Sequence, residues 1–312
     1  MTLTTFSDIL HARQRIVAHL KPTPLEASEY LGKNIWLKLE NLNQTRSFKI
    51  RGALNAMLSL TEEEKSRGIV AASAGNHAQG VAYAARLAKV NARVVMPNNA
   101  PERKVKGTRR LGAEVLLYGD TYDAAERHAH KLQSQLGMTF VSPYNDRAVV
   151  AGQGTIGLEL FDDLPGLERV VIPTSGGGLL AGIALACKTL NPGVEVIGVQ
   201  SVATPAMFNF LHGTAHSQGE TIADGLSGEI ESGSITFKMC KTYTDQMLLI
   251  EEADIEEAIR WMLRTHNWVI EGAAAVPIAA VMTGAIKADG RPTALIISGA
   301  NIDYEKLKRL LA

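Results

Sequence analysis

The sequence predicts an α/β fold of parallel sheets flanked by helices, and three observations carry that reading. Short apolar runs alternate with longer stretches of helical periodicity, the order that builds βαβ units. Several of the runs are almost wholly apolar, as strands covered on both faces are. Segments rich in glycine and serine follow the runs, at the strand ends where open α/β sheets bind their ligands.

In chain order, Ile69–Ala72 is an all-apolar strand and leads into the helical stretch Ala78–Ala88. Ala92–Met96, with Val94 and Val95 at its centre, is the next strand, followed by Glu114–Tyr118. Tyr122–Leu136 carries alanines, histidines and charges at helical spacing, which predicts a solvated helix. Thr139–Ser142 is the fourth strand. Val170–Pro173 then runs through a glycine cluster into the helix Leu179–Leu190. Val194–Val199, Met247–Ile250 and Ala294–Ile297 are the remaining strands, with helices at Ile255–His266 and Ala273–Ile286. No linker, repeat or low-complexity tract divides the chain.

A length of 312 residues suggests two domains, and 46% hydrophobic with 21% charged residues is ordinary for a soluble globular protein. Lysine plus arginine and aspartate plus glutamate both number 32, so no basic excess recommends nucleic acid or an anionic membrane as partner. Only Cys187 and Cys240 are available for sulfur chemistry, far apart and outside any metal-binding spacing, which predicts a cytoplasmic protein. Met1 to Arg15 has no signal-peptide core, and no stretch reaches the roughly 20 apolar residues of a membrane span. His128 and His130 fall on different faces of a helix, and glycines around His212 and His216 indicate a loop, so neither pair predicts a metal.

Four segments can hold chemistry. In Thr45–Ala53, Lys49 stands between Phe48 and Ile50 at the start of a helical stretch; apolar surroundings lower a lysine pKa and supply the neutral amine that Schiff-base formation needs. Ser73-Ala74-Gly75-Asn76-His77 follows a strand and opens a helix, where small residues let backbone amides grip a carboxylate. Ser175-Gly176-Gly177-Gly178-Leu179 does the same with three consecutive glycines, a phosphate cradle. Gly176, Gly178 and Ala181 also satisfy a dinucleotide fingerprint, but the next strand ends Gly198-Val199-Gln200, without the ribose-binding acid that a dehydrogenase requires. Ile297-Ser298-Gly299-Ala300-Asn301 closes the set with a hydroxyl. An amine, a carboxylate site, a phosphate site and a hydroxyl together suit an aldehyde-and-phosphate cofactor that handles amino acids.

These segments, with Ala151-Gly152-Gln153-Gly154-Thr155, resemble the threonine/serine dehydratase and serine racemase family, fold-type II pyridoxal-phosphate enzymes of tryptophan synthase β-like architecture. The resemblance implies a large cofactor-binding domain of residues 1–45 and 146–312, a small inserted α/β domain of residues 46–145, and typically a homodimer. It implies pyridoxal 5'-phosphate held by Phe48, Lys49, Asn76, Ser175, Gly176, Gly177, Gly178, Leu179 and Ser298, with Lys49 as the catalytic Schiff-base lysine. Asn76 matches the partner of the cofactor's phenolic oxygen, Ser298 that of the pyridine nitrogen, and Ser73, Ala74, Gly75, Asn76 and His77 the substrate-carboxylate loop.

The expected reaction is β-elimination: Lys49 removes the Cα proton, the β-hydroxyl leaves, protonated by the cofactor phosphate, and a 2-oxo acid and ammonia follow. Ala74 stands where racemases carry a second serine, and an alanine cannot transfer a proton, which favours dehydratase over racemase. A β-replacement enzyme and a non-catalytic cofactor binder are the other readings. Gln200, Thr204 and Ala206 replace a carboxylate-lined cation site, so no metal is expected. Ser175 replaces the usual first loop glycine, and Glu271-Gly272 shortens a longer motif in a run shared with relatives acting on hydroxyectoine breakdown products or bulkier β-hydroxy amino acids. The chain ends soon after Asn301, leaving no room for the regulatory domain of longer biosynthetic threonine dehydratases.

Overall fold

The computed structural model describes residues 2–312. Helix α1 (Phe6–Ile16) opens on a reciprocal cap between Thr5 and Asp8, and is followed by β1 (Leu25–Ala27), β2 (Ile35–Lys38), α2 (Lys49–Ser59) and α3 (Glu62–Arg67). Next come β3 (Ile69–Ala72), α4 (Asn76–Ala88), β4 (Ala92–Met96), α5 (Glu102–Arg110), β5 (Glu114–Leu117), α6 (Tyr122–Leu136) and β6 (Thr139–Phe140). The chain continues through α7 (Arg147–Asp163), β7 (Arg169–Pro173), α8 (Gly178–Leu190), β8 (Glu195–Ser201), α9 (Ala206–His212), α10 (Ile235–Tyr243) and β9 (Gln246–Ile250). It ends with α11 (Glu252–His266), α12 (Gly272–Met282), β10 (Thr293–Ile296) and α13 (Tyr304–Leu311).

The strands form two sheets: a six-stranded one in the order β1-β2-β10-β7-β8-β9, parallel except for β1, and a parallel four-stranded one in the order β5-β4-β3-β6. Alternation along β7 explains the two-sided burial. Val170 and Ile172 enter one hydrophobic cluster with residues of α7 and α8, whereas Val171 enters another with residues of α11 and α12. All eight strands expected from the sequence are present. β6 stops at Phe140, earlier than expected, because the Ser142 hydroxyl turns the chain by accepting the Asn145 N–H at 3.0 Å. α12 stops at Met282 rather than Ile286, with Gly284 at φ 76° just beyond.

The topology decides where ligands can go. In the small sheet β3 is flanked by β4 on one side and β6 on the other; in the large sheet β7 lies between β8 and β10. Connections leave in opposite directions at these places, which opens a crevice at the strand ends. The segments after β3, β6, β7 and β10 all emerge there. They include three of the four picked out from the sequence.

The fourth, leading into α2, is anchored by close packing and by charge. A Cβ on Gly152 of α7 would lie 2.6 Å from the Arg51 carbonyl oxygen, so α2 and α7 meet backbone to backbone. Gln153 completes the contact by accepting the Gly52 N–H at 3.2 Å. Arg51, 1% exposed, makes two bidentate pairs, with Glu40 at 2.8 and 2.8 Å and with Glu159 at 2.6 and 2.8 Å. Lys38, fully buried on β2, adds a second cation 2.8 Å from Glu159. The two cations thus face Glu40 and Glu159, with the half-exposed Asp163 3.5 Å from Lys38 as a third carboxylate at the edge of the network. Replacing Arg51 by Met would leave the buried Glu40 and Glu159 with Lys38 alone, itself shared with Asp163, and should destabilise the protein by about 3–5 kcal/mol in urea unfolding; an unchanged midpoint would show the network to be dispensable.

Candidate active site

Lys49 is the first residue of α2, and its neighbours hold the backbone on both sides. Ser47 pairs with Gly299 in an antiparallel bridge, and Phe48 donates its N–H to the Ser298 carbonyl at 3.0 Å. From the small sheet, Gly80 of α4 lies so close that a Cβ there would stand 3.1 Å from the Lys49 carbonyl carbon. The half-buried side chain passes the Phe48 ring, with Nζ 5.0 Å from its centre, and donates to the Pro143 carbonyl at 3.0 Å. Lys49 therefore sits between the β6 and β10 segments.

Two of the helices that start at the crevice have glycine as the cap residue. α4 begins after Gly75 and α8 after Gly177, and neither cap has a side chain to satisfy the amides of the first turn. Their first-turn amides and dipoles are left for an anionic ligand. Gly177 adopts φ 85°, and Thr236 of α10 holds the preceding carbonyl, donating to the Gly176 oxygen at 2.7 Å. Tyr144 lies across this loop: a Cβ on Gly176 would fall 2.5 Å from its ring. Leu179 is buried in the core of the large sheet, so only its backbone can face a ligand there. Ser175 is half-buried at the start of the loop, and Ser298 is 2% exposed at the end of β10.

Ser73, Ala74, Gly75 and Asn76 are half-buried along the opposing loop. Ser73 turns inward to accept the Gly75 N–H at 3.2 Å, and Ala74 packs on the core of the small sheet. His77 does not present its ring to the crevice. It is 3% exposed, with Nε2 2.9 Å from the Val141 carbonyl, so its part in this loop is played by its amide.

A cleft of about 80 Å³ opens between Gly75, Asn76 and Gln79 of α4, Lys104 of α5, Asp224, and the residues around Glu271 and Asn301, Gly75 being the cap that precedes α4. The sequence marks Glu271 only as part of a shortened motif, with no role of its own, yet it is central here. One carboxylate oxygen accepts Asn76 Nδ2 at 2.7 Å and the other accepts the Asn301 N–H at 3.1 Å. Asn301 also donates to Asn76 Oδ1 at 2.7 Å and to the Thr45 carbonyl at 2.9 Å. Its position in the fourth strand-end segment is the only signal of this in the sequence, since its partners are 225 and 256 residues away in the chain. Tyr144 and Thr236 carry no such signal.

Burial pushes the Lys49 amine down to about 8, while the Glu271 carboxylate pulls it back up. Burial also raises Glu271 to about 7, although Asn76 and Asn301 stabilise its charged form. His77, buried and facing the Lys49 charge, falls to about 3 and is neutral. An amine whose pKa is lowered towards neutrality, coupled to an ionisable carboxyl and close to the glycine-capped starts of α4 and α8, is equipped to form a bond to a carbonyl carbon and to accept a proton afterwards.

Comparison with known proteins agrees with this chemistry. Residues 16–299 match the family model described as pyridoxal-phosphate dependent enzyme. The L-threonine ammonia-lyase of Thermotoga maritima is 44% identical over 99% of this chain and 78% of its own length. Among solved structures, the serine racemase of Dictyostelium discoideum is 34% identical, with a TM-score of 0.89 over 96% of this chain and 99% of that one. A threonine deaminase from the source abbreviated T.th. is 38% identical, again with a TM-score of 0.89 and coverage of 96% and 99%.

An amine reacts when neutral, so lowering its pKa moves reactivity to lower pH. Reductive methylation of Lys49 should rise with a midpoint of about 8, against 10.5 for an ordinary lysine. In Glu271→Gln the midpoint should fall further, because the charge that favours the ammonium is gone. Peptide mapping across pH measures both; a Lys49 that titrates with the surface lysines would disprove the assignment.

Proposed function

The chain belongs to the pyridoxal-phosphate-dependent enzyme family, and on that premise we propose that it dehydrates and deaminates a small β-hydroxy amino acid, L-threonine or L-serine, to a 2-oxo acid and ammonia. The observation that carries the reading is the placement of Lys49, packed against α4 at Gly80 and bonded to Pro143 next to the Tyr144 that covers the start of α8, with burial lowering its pKa to about 8. That arrangement fits the cofactor at two chemically distinct points. The amine suits its aldehyde, and the Ser175–Leu179 amides, opened by the Gly177 turn and uncovered by any cap, suit its phosphate.

When bound, pyridoxal phosphate supplies an aldehyde that links to amines and a ring that takes up the electron pair released at Cα. In the proposed mechanism the protein does the rest. Amides of the Ser73–His77 loop bind the substrate carboxylate at the start of α4, which fixes the amino acid relative to Lys49. Asn76 offers a donor to the ring oxygen, and Ser298 a neutral hydroxyl to the ring nitrogen, which does not force that nitrogen to stay protonated. Phe48 packs beside the anchoring lysine. With its amine free, Lys49 Nζ would take the Cα proton. Ala74 offers no group to return a proton from another direction, and its methyl is committed to the core of the small sheet. The expected product is therefore the 2-oxo acid rather than the D-amino acid.

Residues 46–145 are proposed to act as the small domain and residues 1–45 and 146–312 as the large one. The proposed setting is a cytoplasmic homodimer, to be checked by its solution mass. Two buried free thiols suit a reducing compartment, and among the described residues no helix is long and apolar enough to cross a membrane.

Purified with pyridoxal phosphate, the protein should be yellow and should release 2-oxo acid from L-threonine or L-serine. Lys49→Ala should lose the visible band and all turnover. A β-hydroxy amino acid screen with chiral product analysis tests this. A band without turnover of any member would reject the dehydratase, and rapid formation of D-serine would reject the role given to Ala74.

A further inference from the structure

We propose that Asn301 is a positioning residue that fixes the side-chain amide of Asn76 as a hydrogen-bond donor aimed into the cleft; the inference rests on the pyridoxal-phosphate reading above. A primary amide has a donor end and an acceptor end of nearly the same shape, so something must decide which end faces a ligand. Here the decision begins at the main chain. The Thr45 carbonyl can only accept, so Asn301 must turn Nδ2 towards it, at 2.9 Å. The second hydrogen of the same Nδ2 is directed to Asn76 Oδ1, at 2.7 Å. With its oxygen taken, Asn76 presents Nδ2 outward, where the acceptor is now Glu271 Oε1 at 2.7 Å.

The sequence of bonds therefore has one polarity, from Thr45 through Asn301 and Asn76 to a carboxyl oxygen of Glu271. Its origin is rigid. The Ala300 N–H donates to the Arg46 carbonyl at 2.9 Å, and Gly299 pairs with Ser47, so the Asn301 turn is stitched to the segment that carries Lys49. Asn301 thus joins three parts of the site: the Lys49 approach, the end of β10 and the start of α4. A ring oxygen arriving at Asn76 meets N–H rather than C=O because Asn301 holds the oxygen end, the orientation that Glu271 also favours from the other side; Asn301 need not touch the ligand itself.

A double-mutant cycle tests this, reading pyridoxal phosphate affinity and the position of the visible band, with apoprotein melting as the control for folding. Asn301→Ala should weaken cofactor binding roughly three- to tenfold and shift the band, the size expected when one oriented hydrogen bond is lost. In the Asn76→Ala background the same change should do nothing further. If Asn301→Ala does not fold, Asn301→Ser takes its place with the same expectation. Wild-type affinity and band in the single variant, or an equal additional loss in the Asn76→Ala background, would overturn the proposal. A wild-type protein that binds no pyridoxal phosphate would instead overturn the reading beneath it, and the proposal with it.

Discussion

The site depends on a buried ionic network two residues away from the reactive lysine. Arg51 grips Glu40 and Glu159 in fork-like pairs, and Lys38 balances the second carboxylate. Burying such groups gives no clear stability advantage over a well-packed apolar cluster. What the network supplies is direction. A planar guanidinium with two carboxylate partners has one satisfactory orientation, so the first turn of α2 cannot rotate without breaking several charged hydrogen bonds. Glu159 is held in its charged form: burial raises its pKa, but Arg51 and Lys38 outweigh that and leave it lowered. Lys49 inherits this rigidity, because its Cα lies on the turn that Arg51 fixes.

Around that fixed point the fold brings together groups that cannot be neighbours in sequence. Two sheets each reverse their winding direction, and each reversal places the start of an uncapped helix beside the α2 start. Such helix ends are unsatisfied without a ligand, which is the cost of a ready-made anion site. Charge is arranged to match. The amine is partly discharged by burial, the nearby imidazole is kept neutral, and one carboxyl of adjustable charge faces them. Lys104 and Asp224 add one charge of each sign to the cleft lining, so the amides at the two helix starts supply the main attraction for a phosphate and an amino-acid carboxylate.

Much of this is legible in the sequence, for physical reasons that also mark where reading fails. The buried parallel strands announce themselves because both faces are apolar. β1 and β2 do not, since β1 is a short, largely exposed edge and β2 ends in Lys38, a charge that makes sense only beside Glu159. The glycine loops can be read because glycine at a helix start has few other uses. The Ala151–Thr155 glycines carry a resemblance without a reason, and the reason is the backbone contact of α7 with α2. His77 belongs to the loop along the chain, as expected, but its ring does not: helical geometry turns it towards Val141. Glu271 and Asn301 acquire meaning only through Asn76, across the cleft, and no local pattern encodes that.

Ala74 and Glu271 together explain why one lysine suffices on the proposed chemistry. With alanine at position 74, half-buried against the core of the small sheet, the loop proposed to hold the carboxylate has a methyl where a second hydroxyl could have traded protons at Cα. All proton movement there falls to Lys49, whose useful range is set by burial and by the state of Glu271. The carboxyl in turn is tied to Asn76 and Asn301, so the hydrogen bonds that orient the small-domain loop also tune the base. Orientation and basicity are thereby coupled through one side chain. A dehydratase gains from that economy, because its reaction needs a proton removed from Cα on one face and never returned on the other.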